Sequence, residues 1–278
     1  MHAQSNHPGL ISSRILSRLG VPHAFTTRVG GVSSVPFDSF NFGNPGELPP
    51  GVARDPKCNI ERNFQIVLDA LGCHARRIVQ VHQVHGPEVL VEQSRERQRA
   101  NQSLADARGT VVWGDVKADA IVTDDPSCVV AVRVADCCPV LLASVDGRVV
   151  AAVHAGWRGV IAGVATAAVA QMRLLGAGEI VAAIGPCISA AHFEVGPEVL
   201  SEFRRIFGDA APVARESPQT GKGHVDLRAA LALQMRQSGV ERADVLPGCT
   251  HADESLYFSH RRDRGLTGRM IGLIGPRA

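Results

Sequence analysis

Residues 135–159 constrain this chain more than any other stretch. An apolar run from Pro139 to Val145 is followed by Asp146-Gly147 and a second β-rich run, Arg148 to Val153. Two strand-forming runs around an Asp-Gly pair predict a β-hairpin. With a two-residue turn, Val145 faces Arg148. Counting outward, Pro139 faces His154 and Cys137 faces Gly156. Cys137 and His154 then meet at the open end of the hairpin, as diagonal neighbours within reach of a shared atom. A fold that accommodates this hairpin therefore carries a thiol and an imidazole at one strand end.

Further strands are expected at 78–85, resuming at 89–91 beyond Gly86-Pro87, and at 128–135 and 179–184. Helical periodicity is expected at 61–71, 160–175, 197–206 and 227–238. The segments at 94–108 and 216–224 read as a solvated stretch and a loop. Strands and helices mix without regular alternation. This predicts an α/β (α+β) fold: a single domain, 1–278, with mixed β-sheets packed by helices.

Composition narrows the function. Lys plus Arg total 29 against 27 for Asp plus Glu, a net charge of only +2, so no concentrated basic face for nucleic acid is expected. Aromatics are 4% of the chain, too few for a stacking platform on single strands. No apolar run reaches the roughly 18 residues of a membrane span. The first residues, Met1 to Arg14, lack the apolar core of a signal peptide, so a cytoplasmic protein is expected. The seven cysteines are an odd number and imply no disulfide framework. Cys128 and Cys138 read as small core residues on apolar strands.

A third ligand for the Cys137–His154 pair is available at His82 or His85. Three residues apart in a strand, they point to opposite faces, so one of them joins the site. His85, beside the Gly86-Pro87 turn, is the more open and is favoured. One thiolate and two imidazoles suit zinc, with copper as the alternative, and leave a coordination position open, as in catalytic zinc sites. For an anion, Gly156 and Gly159 allow close backbone approach, and Arg158 supplies a guanidinium fork. Helix amides are expected to begin near Val160. Arg28 in a Gly-rich turn, and His260-Arg261 ahead of Thr267-Gly268-Arg269, are expected to line the same pocket.

Together these segments resemble one family, the multicopper polyphenol oxidase or laccase-domain family of zinc-dependent purine nucleoside phosphorylases. The resemblance runs from Phe25-Thr-Thr-Arg-Val-Gly-Gly-Val-Ser33 and Asn41-Phe-Gly43 through Gln83-Val-His-Gly86 and Asp119-Ala-Ile-Val-Thr123. It continues through Ala135-Asp-Cys-Cys-Pro-Val140, Val153-His-Ala-Gly-Trp-Arg-Gly159 and Gly185-Pro-Cys-Ile188 to Ser259-His-Arg-Arg-Asp263 and Thr267-Gly-Arg269. It implies metal ligands at His85, Cys137 and His154, and so selects His85 over His82 and Cys137 over Cys138. It implies phosphorolysis of adenosine, inosine, guanosine and methylthioadenosine, and deamination of adenosine. Asp136 and His260 are then candidates for the acid/base group. Nucleoside and phosphate are the implied partners, for a monomer or homodimer. One Cys–His–His set is too few ligands for multicopper chemistry. Phe42 stands where the family commonly has Leu, and 94–113 is longer than the family's usual spacing. The competing readings are a metal-independent cysteine hydrolase acting on cell-wall precursors, with Cys137 as nucleophile, and a polyphenol oxidase.

Overall fold

The computed structural model describes residues 7–46, 48–94 and 111–277, with the backbone alone for 111–113. The polar stretch read at 94–108 therefore falls, after Ser94, outside the described residues.

Two six-stranded sheets form the centre of the fold. The first has the order β1 (Leu10–Ile11), β2 (His23–Thr26), β15 (Met270–Ile274), β7 (Cys128–Val134), β3 (Arg77–His82), β5 (Val111–Lys117). The second has the order β14 (Arg242–Val245), β10 (Ile180–Ile184), β8 (Cys138–Ser144), β9 (Val150–Ala155), β6 (Ala120–Thr123), β4 (Val89–Glu92). Both sheets mix parallel and antiparallel pairs, as expected. A three-stranded sheet joins β11 (Glu194–Val195), β13 (Gly223–Val225) and β12 (Val213–Glu216). The segment read as a loop at 216–224 is thus the turn of a hairpin.

Strand parity sorts the side chains into layers. Val79, Val81, Val130 and Val132 of the first sheet pack with Leu141, Ala143, Val150 and Ala152 of the second in one apolar cluster. The opposite face of the first sheet is covered by α2 (Lys57–Ala70) through Phe64, Val67 and Leu68. The opposite face of the second is covered by α4 (Val164–Leu174), α5 (Pro197–Phe207) and α6 (Leu227–Gln237). The short α1 (Arg14–Arg18) is capped by the Ser13 hydroxyl and lies against β10 and β14. The layers run helix, sheet, sheet, helices.

The helix expected over 160–175 is two helices. The first, α3 (Trp157–Ile161), starts at the end of β9, and Gly163 at φ 76° breaks the chain before α4 begins. That left-handed conformation is open to glycine and stops the helical hydrogen-bond series.

The hairpin keeps its expected register: Cys138 pairs with Ala155, Pro139 with His154 and Ala143 with Val150. Its turn is wider than the two residues expected. Gly147 N–H donates to Ser144 O at 2.8 Å, and β9 begins only at Val150. The count of residues outside the ladder is even, so every facing pair is unchanged.

Candidate metal centre

Cys137 lies one residue before β8, and strand alternation separates it from its neighbour. Cys138 points into the apolar cluster beneath the helices and is fully buried. Cys137 turns the other way, toward the open end between the sheets. There it meets His154, the penultimate residue of β9. His85 comes from the turn after β3. It does not lie in the strand, as the sequence had suggested, but three residues past it, at φ 62°. The strand stops because the Gln83 side chain occupies the next pairing positions of β7. Its amide donates to Arg133 O at 2.8 Å and its carbonyl accepts Arg133 N–H at 2.9 Å. His82 ends β3, is exposed, and is not part of the cluster.

The nitrogen and sulfur ligand atoms of His85, Cys137 and His154 all lie within 4.8 Å of one another. Cys137 Sγ is 3.9 Å from His85 Nε2, and the two imidazoles are edge-to-face at 4.8 Å. Gly156 makes this approach possible. A Cβ there would sit 2.8 Å from Cys137 Sγ and 3.0 Å from His85 Cδ2. Among the described residues this is the one group of three such side chains that could hold a metal ion.

Asp119, at the start of β6, organises the ligands. It is fully buried, and its Oδ1 is 2.7 Å from His154 Nδ1. Its Oδ2 accepts the N–H groups of Val84 at 3.0 Å and Gly86 at 2.7 Å, the residues on either side of His85. One carboxylate therefore fixes the orientation of one imidazole, leaving His154 Nε2 for an ion, and holds the turn that presents the other. Such outer contacts commonly control metal affinity. Burial pushes the Asp119 carboxyl up, but bonds from His154 and the Gly86 amide outweigh it and hold the group below its usual range.

Charges at the site favour an ion pair. Burial pushes the Cys137 thiol up, but His154 and His85 more than compensate and bring it down to about 6. Burial pushes His154 down, but Cys137 and Asp119 together raise it to about 9. At neutral pH the ligand-free pair is thus a thiolate beside an imidazolium. A divalent soft cation replaces that imidazolium proton, so the donor set fits zinc or copper.

The structure distributes the other expected site residues around this cluster. Asp136, the residue before Cys137, is buried at φ 85°. Its Oδ1 accepts the Thr250 hydroxyl at 2.6 Å and its Oδ2 accepts Arg261 N–H at 2.6 Å. With both oxygens engaged it acts as a fastening between loops. Arg261 also donates to Glu194 O and lies over Phe193. His260 is exposed and is pushed down by burial, by Arg269 and by His85, countered by Asp136. Arg28 pairs with Asp38 at 3.2 Å and lies over the Phe258 ring. Arg158 is exposed, with its guanidinium 4.3 Å from the centre of the adjacent Trp157 ring. Arg269 donates to the carbonyls of Thr267 and Gly268. Burial pushes it down, and the charges of Cys137 and Asp136 pull it up without outweighing that burial.

Asp119 is the functional residue that strand reading missed. With β6 recognised as the partner of β9, Ala120 faces Val153, and Asp119 stands opposite His154.

The profile of the family described as multi-copper polyphenol oxidoreductase laccase matches residues 22–277. A purine nucleoside phosphorylase of Mycobacterium tuberculosis is 40% identical over 253 residues, covering 90% of this chain and 89% of that protein. One from Deinococcus radiodurans is 36% identical, covering 96% and 94%. The crystal structure of YlmD from Geobacillus stearothermophilus superposes with a TM-score of 0.80 at 31% identity, covering 100% of this chain and 99% of that one.

Proposed function

The chain belongs to the multi-copper polyphenol oxidoreductase laccase family, and within it we propose that this protein is a zinc-dependent purine nucleoside phosphorylase that also deaminates adenosine. One observation carries the reading. The His85–Cys137–His154 cluster presents three converging ligands, and the Arg269 guanidinium, bonded to the carbonyls of Thr267 and Gly268, lies near enough to feel the Cys137 charge. That combination suits one cation and one phosphate. A single three-ligand cluster suits one ion, not several coppers. Relatives named purine nucleoside phosphorylase support the substrate class.

Zinc held by these residues supplies Lewis acidity toward an electron-rich atom of the substrate. The chain supplies the remainder. In phosphorolysis a phosphate oxygen attacks the ribose carbon as the bond to the purine nitrogen breaks, and the purine leaves with a proton. In this reading Arg269, His260 and Arg261 hold the phosphate, and the carboxylate of Asp136 fastens the 259–263 turn that carries two of them. Gly156 lies against Cys137 and His85, and Arg158 follows it by two residues. For Arg158 to reach the phosphate its guanidinium must leave the Trp157 ring. In this reading His260, an exposed imidazole, carries the proton to the purine. Adenosine, inosine, guanosine and methylthioadenosine are the nucleosides to assay.

The Cys137–His154 ion pair is also what a metal-independent cysteine hydrolase would need, and one set of measurements separates the two. Purified protein is assayed for bound zinc and for phosphate-dependent base release, with ammonia followed in parallel. We expect one zinc per chain and base release that requires both zinc and phosphate. Replacing Arg269 by Ala should raise the Michaelis constant for phosphate about 10- to 150-fold, from the loss of a charge-assisted contact worth about 1.5–3 kcal/mol. Deamination, which uses water, should change less. Full activity in metal-free protein would overturn the proposal.

A further inference from the structure

A second cluster of reactive side chains lies away from the metal ligands. Cys249 follows β14, and its backbone bridges to Cys187, which follows β10. The turn after Cys187 carries Ser189 and His192 back over the sulfur. Cys249 Sγ accepts the Ser189 hydroxyl at 3.1 Å and the Ser189 N–H at 3.3 Å. The N–H groups of His251 and Ala252 also point at it. His192 Nδ1 is 3.6 Å from the sulfur and 3.3 Å from Ser189 Oγ, so sulfur, hydroxyl and imidazole form a closed triangle. The His251 ring stacks on His192 at 4.7 Å.

This sulfur differs from the other six. Cys73, Cys128, Cys138 and Cys187 are buried, and burial pushes the first three up, Cys128 to about 12. Cys58 is exposed, with Asn59 Oδ1 4.0 Å from its sulfur. Cys137 belongs to the metal cluster. Cys249 is half-buried. Burial pushes its thiol up, but bonds from the Ser189 hydroxyl and amide and the two further amides bring it below its usual value. It combines solvent access, a lowered thiol and a neighbouring imidazole without a role in the metal site. Those are the features of oxidation-sensitive thiols.

We propose that Cys249, set between Ser189 and His192, is a modification site for small hydroperoxides, distinct from the metal centre and independent of the nucleoside chemistry. The thiol proton passes to His192 Nδ1. The thiolate then attacks one oxygen of hydrogen peroxide. A sulfur–oxygen bond forms, the oxygen–oxygen bond breaks, and the departing hydroxide takes the proton from His192 to leave as water. Sulfur is oxidised by two electrons and the peroxide reduced by two, giving Cys249 sulfenic acid and one water. Ser189 N–H and hydroxyl, which hold the thiolate, are placed to hold the sulfenic oxygen.

The test uses zinc-loaded full-length protein, hydrogen peroxide, and dimedone to trap sulfenic acid, with labelled peptides quantified by mass spectrometry. The Cys249 peptide should label about tenfold faster than the exposed Cys58 peptide. His192→Ala and Ser189→Ala, both of which keep the thiol, should each slow labelling several-fold. Equal labelling of Cys58 and Cys249, faster labelling of Cys137, or an unchanged Cys249 rate in both variants would overturn the proposal. The comparison of peptides within the unmodified protein stands even if a variant folds poorly.

Discussion

Cys137 and Cys138 are joined by one peptide bond and have opposite chemistry. Cys137 opens toward two imidazoles and is brought down to about 6, with burial overcome by His154 and His85. Cys138 is sealed beneath the helices, and burial together with the neighbouring Cys187 thiol holds it protonated, well above its usual value. Identical side chains are separated only by strand parity. Reactivity here is a property of the face a residue occupies, and the comparison can be broken one side at a time.

The largest effect is expected from Cys137→Ala, which removes the sulfur ligand. Zinc content should fall to near zero and base release to background, with circular dichroism unchanged. Retention of one zinc per chain would place the ligand elsewhere. Next comes Asp119→Asn, which keeps the shape but removes the charge shared by His154 and the His85 turn. Loss of such an outer contact typically weakens metal binding about 10- to 100-fold, measurable by competition with a chelator.

The effect of pH follows from the two ligands. Lowered from 9.0 to about 6, the Cys137 thiolate contributes stability to the metal-free protein that is fully present above pH 9 and lost as pH falls through 6. Raised from 6.5 to about 9, the His154 imidazolium contributes stability that is full below pH 6.5 and lost as pH rises through 9. The pair is therefore worth most between these limits, and zinc must displace the His154 proton throughout that window. Apparent zinc affinity should rise about tenfold per pH unit from 6 to 9. A flat profile would mean that the ligands are already unprotonated.

The smallest effect on the metal is expected from Cys138→Ser. Zinc and activity should persist. A buried hydroxyl in place of a thiol costs about 1–3 kcal/mol, so Tm should drop by a few degrees. Loss of zinc in the folded variant would show that parity does not isolate the two residues.

The hairpin that brings Cys137 to His154 was legible because its β-branched runs and Asp-Gly turn specify register by counting alone, even with the turn itself wider than expected. His85 was reached for a different reason than its true one. Parity within a strand allowed only one of His82 and His85, and the choice fell to the openness beside Gly86-Pro87 and to the family resemblance, whereas the Gln83 side chain ends the strand and a turn presents the imidazole. No local pattern announces a side chain that substitutes for a ladder partner. Asp119 stayed hidden because β6, only four residues long, was not read as a strand. The division of 157–174 into two helices rests on Gly163, an ordinary residue in an Ala-rich run until its φ is known. Among the basic groups, spacing could suggest a shared pocket but could not show that Arg28 is held by Asp38 or that Arg158 rests on Trp157.

The last strand in sequence, β15, lies between β2 and β7 in the middle of the first sheet. This placement governs the order of events during biosynthesis. While the ribosome is still making the chain, the N-terminal β2 and the ligand-bearing half of the molecule have no common neighbour. The Asp136 carboxylate also lacks Thr250 and Arg261. The sheet closes, and the loops around Cys137 lock, only when residue 274 has been delivered. A nascent chain thus carries a long interval in which β7 and β2 present unpaired edges, and assembly awaits contacts between the two ends of the sequence, which are intrinsically slow to form. A chain cut before Met270 would lack the central strand and, with it, the frame that holds β2 against β7.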